Sequence, residues 1–158
     1  MANVNLTLIL RDLAEHLAQL VLTLEAEHVA LTENDMENII RTATDKNRLF
    51  DFIEDLENER HALLQAAGLD LNSSGIMAYL QRHTAPTKDE TIAIWEQIET
   101  LTRQCRKQNQ INGIILEKNR QRTEKALAIL KGQTPQVTTY TASGETSHSQ
   151  IHHSLAKA

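Results

Sequence analysis

Leucines punctuate the start of the chain at Leu6, Leu10, Leu13, Leu17, Leu20, Leu24 and Leu31, in steps that alternate between four and three. Glu27 alone breaks the series. An apolar stripe at that spacing predicts a helix over about 4–31 that packs against other helices. Thr32-Glu33-Asn34-Asp35 reads as a turn, because such residues compete for backbone hydrogen bonds and cap helices. A second stripe follows at Ile39, Ala43, Leu49, Phe50, Ile53, Leu56, Leu63, Leu64 and Ala67, which predicts a helix over about 35–67 stopped by Gly68. The short turn makes these two segments an antiparallel hairpin.

Residues 68–87 form a connector, in which Asn72-Ser73-Ser74 can cap a short helix over 73–83 carrying Ile76, Met77, Tyr79 and Leu80. Pro86 forbids a continuous helix, and Thr87-x-x-Glu90 is a capping-box pattern for a third long helix over 88–131, ending at Gly132. At 1.5 Å per residue the three long helices come to roughly 42, 50 and 66 Å, so the third overhangs the others or bends, with Gly113 the natural bending point. Beyond Gly132 the chain turns to Thr, Ser, Gln and His with scattered Val137, Tyr140, Ile151 and Leu155, a composition expected to be disordered alone. The fold class is therefore all-α: an antiparallel three-long-helix bundle or coiled coil over 1–132, with a short connector helix and a flexible C-terminal tail over 133–158.

Polar residues on the seams are the informative exceptions. Stepping by seven through the third helix gives Ile98, Cys105, Asn112, Asn119 and Ala126, so two consecutive asparagines occupy what should be an apolar line. Lys46 and Arg60 share a heptad position with Ile39, Ile53 and Ala67. One reading makes these residues register devices, since a buried polar group costs stability but forbids slipped alignments. The other leaves some of them unburied, beside a groove that accepts a partner helix.

Composition supports helices: 41% of residues are hydrophobic but only 3% aromatic, and Pro and Gly are scarce. The net charge of −5 argues against a nucleic-acid partner, and the basic residues of the third helix lack interleaved aromatics for base stacking. Charge is unevenly spread: residues 1–70 carry 5 basic and 14 acidic side chains, residues 71–158 carry 11 and 7. Either an acidic hairpin packs beside a basic helix, or residues 103–131 present a basic docking face. A lone cysteine rules out an internal disulfide and fits a reducing, cytoplasmic setting; no signal peptide and no membrane-spanning run is expected.

No catalytic motif stands out. There is no phosphate loop, His-Glu-x-x-His or cysteine pair; Glu54, Asp55, Glu57 and Glu59 read as a solvated face, and Cys105 as a packed thiol. His148, His152 and His153 cluster near the end, but nothing there would hold them as a metal site, and no cofactor is expected. Trp95 and Tyr79 read as core and staple residues, whereas Tyr140, isolated in the tail, is a candidate docking anchor.

Several stretches together resemble the flagellar export chaperones of the FlgN type. They are Leu17 to Leu31, the run Lys46-Asn47-Arg48-Leu49 through Leu56-Glu57-Asn58-Glu59-Arg60, and Asn109-Gln-Ile-Asn-Gly113. Ala126-Leu127, Leu130-Lys-Gly132 and Thr139-Tyr140 with Gly144 follow in order. The resemblance implies a small, acidic, all-helical cytoplasmic chaperone that escorts hook-associated proteins to the flagellar type III export apparatus and has no enzymatic activity. It implies that the end of the third helix and the tail bind a C-terminal helix of the cargo, through Asn109, Asn112, Gly113, Leu116, Asn119, Leu127, Leu130 and Val137. It associates Tyr140 with docking to the membrane export-gate protein, with no insertion of the chain into the membrane. Residues beyond Gly144 match nothing in the pattern. The alternative is a structural adaptor that oligomerises through its seam. Replacing both Asn112 and Asn119 by leucine is expected, on the seam pattern alone, to stabilise the bundle.

Overall fold

The computed structural model describes residues 6–82 and 88–132. Four helices appear among them: α1 (Leu6–Glu33), α2 (Met36–Ala66), α3 (Ser73–Arg82) and α4 (Lys88–Leu130). The all-α class and the element order follow the hydrophobic pattern closely. By internal contacts the chain divides into two units, one ending at Glu117 and the other beginning at Lys118.

In the first unit α1 is the spine. Every position of its leucine series is buried, together with Ile9, Ala14 and Ala30, because α1 has neighbours on two sides. Toward α2 the contacts run in opposite order: His16 meets Phe52 while Glu27 meets Lys46, the signature of an antiparallel pair. Toward α4 they run in the same order. Thr7 bonds Thr91, the Leu17 carbonyl accepts from Cys105, and the Leu24 carbonyl accepts from Asn112. Helix α4 thus lies parallel to α1 over this stretch. One apolar core joins α1 leucines to Leu49 and Leu64 of α2, Ile76 and Leu80 of α3, and Trp95, Ile98 and Cys105 of α4.

The hairpin turn is tighter than the four residues expected from sequence. Helix α1 continues through Thr32 and Glu33, leaving only Asn34 and Asp35. Asn34 takes φ +57°, a left-handed value that asparagine tolerates better than most side chains, and the Asp35 N–H closes onto the Ala30 carbonyl at 2.9 Å. Asp35 then caps α2, accepting from the Asn38 N–H at 3.1 Å. That bond, with a second from the Asn38 side chain, holds the Asp35 carboxyl below its usual range. The cap therefore contributes above the ordinary carboxylate range and is lost as the pH falls through the lowered value.

Asn72 caps α3 through its side-chain oxygen, which accepts from the Gly75 N–H at 3.2 Å. Gly75 is obligatory: a Cβ there would lie 1.7 Å from the Asp70 carbonyl oxygen. Gly68, at φ +67°, ends the preceding helix in the left-handed region that glycine enters freely. The proposed Thr87 capping box falls outside the described residues. Phe50, placed on the apolar stripe by sequence, is 42% exposed. The stripe of α2 has to drift around the helix, and Leu49 takes the core position beside it.

Arg60 ties the far end together. Only 5% exposed, it donates to the Glu57 carboxylate at 2.6 Å and to the Leu71 carbonyl at 2.8 Å, and its guanidinium lies 5.3 Å from the centre of the Trp95 ring. A cation buried on the seam is tolerated because it reaches α2, the connector and α4 at once. Arg60→Ala should lower unfolding stability by about 2–3 kcal/mol, read from urea denaturation, since the loss includes charged hydrogen bonds and leaves the part-buried Leu71 carbonyl without this donor.

Candidate functional site

Asn112 is 2% exposed, and its side chain is fully engaged. Its amide donates to the Leu24 carbonyl and to the Glu27 carboxylate, both at 2.8 Å. Its oxygen accepts from Gln108 at 3.1 Å and lies 3.3 Å from Nδ1 of His28. Glu27, 7% exposed, accepts from Lys46 at 2.5 Å through its other oxygen. One carboxylate therefore links α1 to α2 and α4, and three of the polar residues singled out on separate seams meet in one buried cluster. Among the described residues no buried side-chain polar atom lacks a partner. The register reading of Glu27, Lys46 and Asn112 thus has a structural basis.

The other candidate positions separate by environment. Asn109 and Gly113 are exposed, Leu116 is 54% exposed, and Asn119 is half-buried. In the second unit Leu127 is 48% exposed and Leu130 83%. Val137 and Tyr140 lie outside the described residues, as do His148, His152 and His153. Sequence reasoning missed two exposed apolar side chains, Ile114 at 52% and Ile129 at 63%. The signal was available for Ile114, two residues past Asn112 and off that face, but not for Ile129, three past Ala126 and on the heptad face. Helix α4 runs uninterrupted through Gly113, where a Cβ would meet nothing.

Burial along that heptad line gives the site its boundary. Ile98, Cys105 and Asn112 are buried, Asn119 is half-buried, and Ala126 is exposed. The packed part of α4 therefore extends one heptad beyond Cys105, to Asn112. From Lys118 to Leu130 every residue is exposed except Asn119 and Ala128, which are half-buried. Arg120 pairs with Glu124 there, and the remaining basic side chains Lys118, Arg122 and Lys125 are exposed. The ion pair seen between the hairpin and α4 has the opposite polarity to that suggested by the overall charges: Arg11 of α1 donates to Glu90 of α4 at 2.6 Å.

Cys105 is 8% exposed and contacts the Leu17 carbonyl at 3.7 Å; desolvation pushes its thiol above the ordinary range, away from the reactive thiolate. Among the described residues no cluster of His, Cys, Asp or Glu could hold a metal ion, and no helix is long and apolar enough to cross a membrane. What α4 offers is exposed apolar side chains among basic ones, a surface suited to binding.

The model of the family described as FlgN protein matches residues 1–148, nearly the whole chain. No curated protein and no solved structure gives a significant match.

The structure reverses the expectation for one asparagine. Asn112→Leu should destabilise the first unit by about 1–3 kcal/mol, because it strips a donor from the buried Glu27 carboxylate. Asn119→Leu, at a half-buried position outside the Glu27 cluster, should cost less than Asn112→Leu. Urea unfolding of the two single variants checks the split.

Proposed function

From the membership of this chain in the FlgN family of flagellar chaperones, we propose that it is a cytoplasmic export chaperone for hook-associated proteins of the hook–filament junction. In this reading an antiparallel bundle of three long helices is the frame, and the end of α4 with residues 133–158 is the working part. It binds the C-terminal helix of the cargo, prevents premature self-association, and delivers the cargo to the export gate of the type III apparatus. The chaperone works by binding alone, without catalysis or cofactor.

The observation that carries the proposal is in the second unit, where Leu127, Ile129 and Leu130 are 48%, 63% and 83% exposed. Three large apolar side chains within four residues of a helix end are costly to leave in water, and their burial by a partner's apolar face is favourable. Lys118, Arg122 and Lys125 on the preceding turns add a charge preference without demanding a fixed geometry. Asn109, Gly113, Leu116, Asn119, Val137 and Tyr140 are the further proposed contacts. Asn112 is a contact only indirectly, because its side chain is committed to Leu24 and Glu27. Escort requires release, and a chain segment that orders on binding meets that need, since its ordering entropy offsets part of the contact energy.

Deleting residues 133–158 should leave the melting transition nearly unchanged and abolish capture of a hook-associated protein in a pull-down. Undiminished capture by the truncated chain would refute the assignment. Tyr140→Ala should retain capture and reduce delivery to the export gate, measured as secreted cargo; loss of capture itself would contradict that division of labour.

A further inference from the structure

The face formed by α1 and α2 holds a recessed site. His16, Gln19 and Thr23 of α1 stand at helical spacing opposite Asp45, Arg48, Leu49 and Phe52 of α2, and together line a groove of about 360 Å³. That is the lower end of the range for ligand pockets. Phe52 is 43% exposed, a substantial aromatic surface to leave beside water. Its ring is held from two sides: His16 packs at 5.3 Å between centroids, tilted by 48°, and the Arg48 guanidinium lies 5.7 Å from the ring centre. Buried Leu49 adds an apolar floor.

The polar groups around that floor have uncommitted capacity of defined sign. Arg48 is placed over the ring and makes no carboxylate pair among the described residues, although Asp45 lines the same groove three residues earlier. Its planar fork of donors is free for a carboxylate. His16 Nδ1 lies 2.7 Å from the Asp12 carbonyl oxygen, which can only accept, so Nδ1 carries a hydrogen there. Thr23 donates its hydroxyl hydrogen to the Gln19 carbonyl at 3.0 Å, which leaves its lone pairs available. The groove thus presents one strong donor fork, several acceptors and an apolar floor. The hairpin around it is acidic, with Asp12, Glu15, Asp51 and Asp55 nearby in sequence. That field disfavours a run of acidic residues or a doubly charged anion.

We propose that this groove is a peptide-docking site for a partner segment with one carboxylate side chain, an adjacent aliphatic side chain and backbone N–H groups free to donate. The carboxylate takes the Arg48 fork, the aliphatic group covers Phe52 and Leu49, and the N–H groups reach Asp45 and Thr23. This proposal stands whether or not the end of α4 carries cargo.

The test is an amide-shift titration of the isotope-labelled full chain with the capped peptide acetyl-Ala-Glu-Leu-Ala-amide, alongside its Glu→Gln and Glu→Lys counterparts. The Glu peptide should give saturable shifts at Gln19, Thr23, Asp45, Arg48 and Phe52, with affinity about threefold above that of the Gln peptide, as a partly exposed ion pair allows. Arg48→Gln should remove that preference, and Phe52→Ala should weaken both peptides; both side chains are exposed, so the far-UV spectrum should not change. Absence of saturable shifts, equal binding of the Lys peptide, or displacement of the peptide by inorganic phosphate at equal concentration would overturn the proposal.

Discussion

The Glu27 carboxylate is the constraint around which the first unit is organised. Its two oxygens bond to different helices, one to Lys46 of α2 and the other to Asn112 of α4, at 2.5 and 2.8 Å. A leucine stripe cannot supply this information. Leucine repeats pack almost as well after a shift of one heptad, because each leucine meets another of the same size. Such a shift would strand the Glu27 carboxylate among apolar side chains and leave Lys46 and Asn112 unpaired, which costs several kcal/mol in a dry interior. The polar cluster therefore selects one alignment from several that the apolar core would permit. Arg60 performs a related task at the other end, joining α2 to the Leu71 carbonyl and Trp95.

The same helix that enters this cluster also carries the proposed binding surface, and the two stretches are separated along its length. Thr91, Trp95, Ile98, Cys105 and Asn112 are buried at heptad-compatible spacing. Past Glu117 the chain belongs to the second unit, where large apolar side chains are exposed among lysines and arginines. A packed stretch can hold its geometry while an exposed one awaits a partner, since burial of the apolar face provides most of the stability of any helix in water.

Much of the frame was legible in the sequence because it rests on local rules. The leucine series of α1, Asn72 as the cap of α3 and Gly68 as the stop after α2 each depend on residues within a turn or two. The misjudged positions are those where neighbours decide. Phe50 fits the stripe of α2 yet points outward, because Leu49 fills the core position as the stripe drifts. Asn112 and Asn119 are indistinguishable by heptad position, but one is locked in a buried network and the other is half-buried. The four-residue turn expected from composition shrank to Asn34 and Asp35, since the Ala30 carbonyl could be satisfied by the Asp35 N–H only in that geometry.

By itself the sequence determined the helical class, the helix order and the family, because hydrophobic period, caps and breakers act over short distances and survive without knowledge of neighbours. The tertiary structure decided what each seam polar residue is for. Glu27, Lys46 and Asn112 come from three different helices, and only their meeting turns three apparent flaws into one satisfied cluster. The same holds for His16, Arg48 and Phe52, which form a groove only once α1 and α2 lie side by side. Hydrogen bonds and ion pairs depend on distances of a few ångströms between groups, and those distances are set by packing rather than by spacing along the chain.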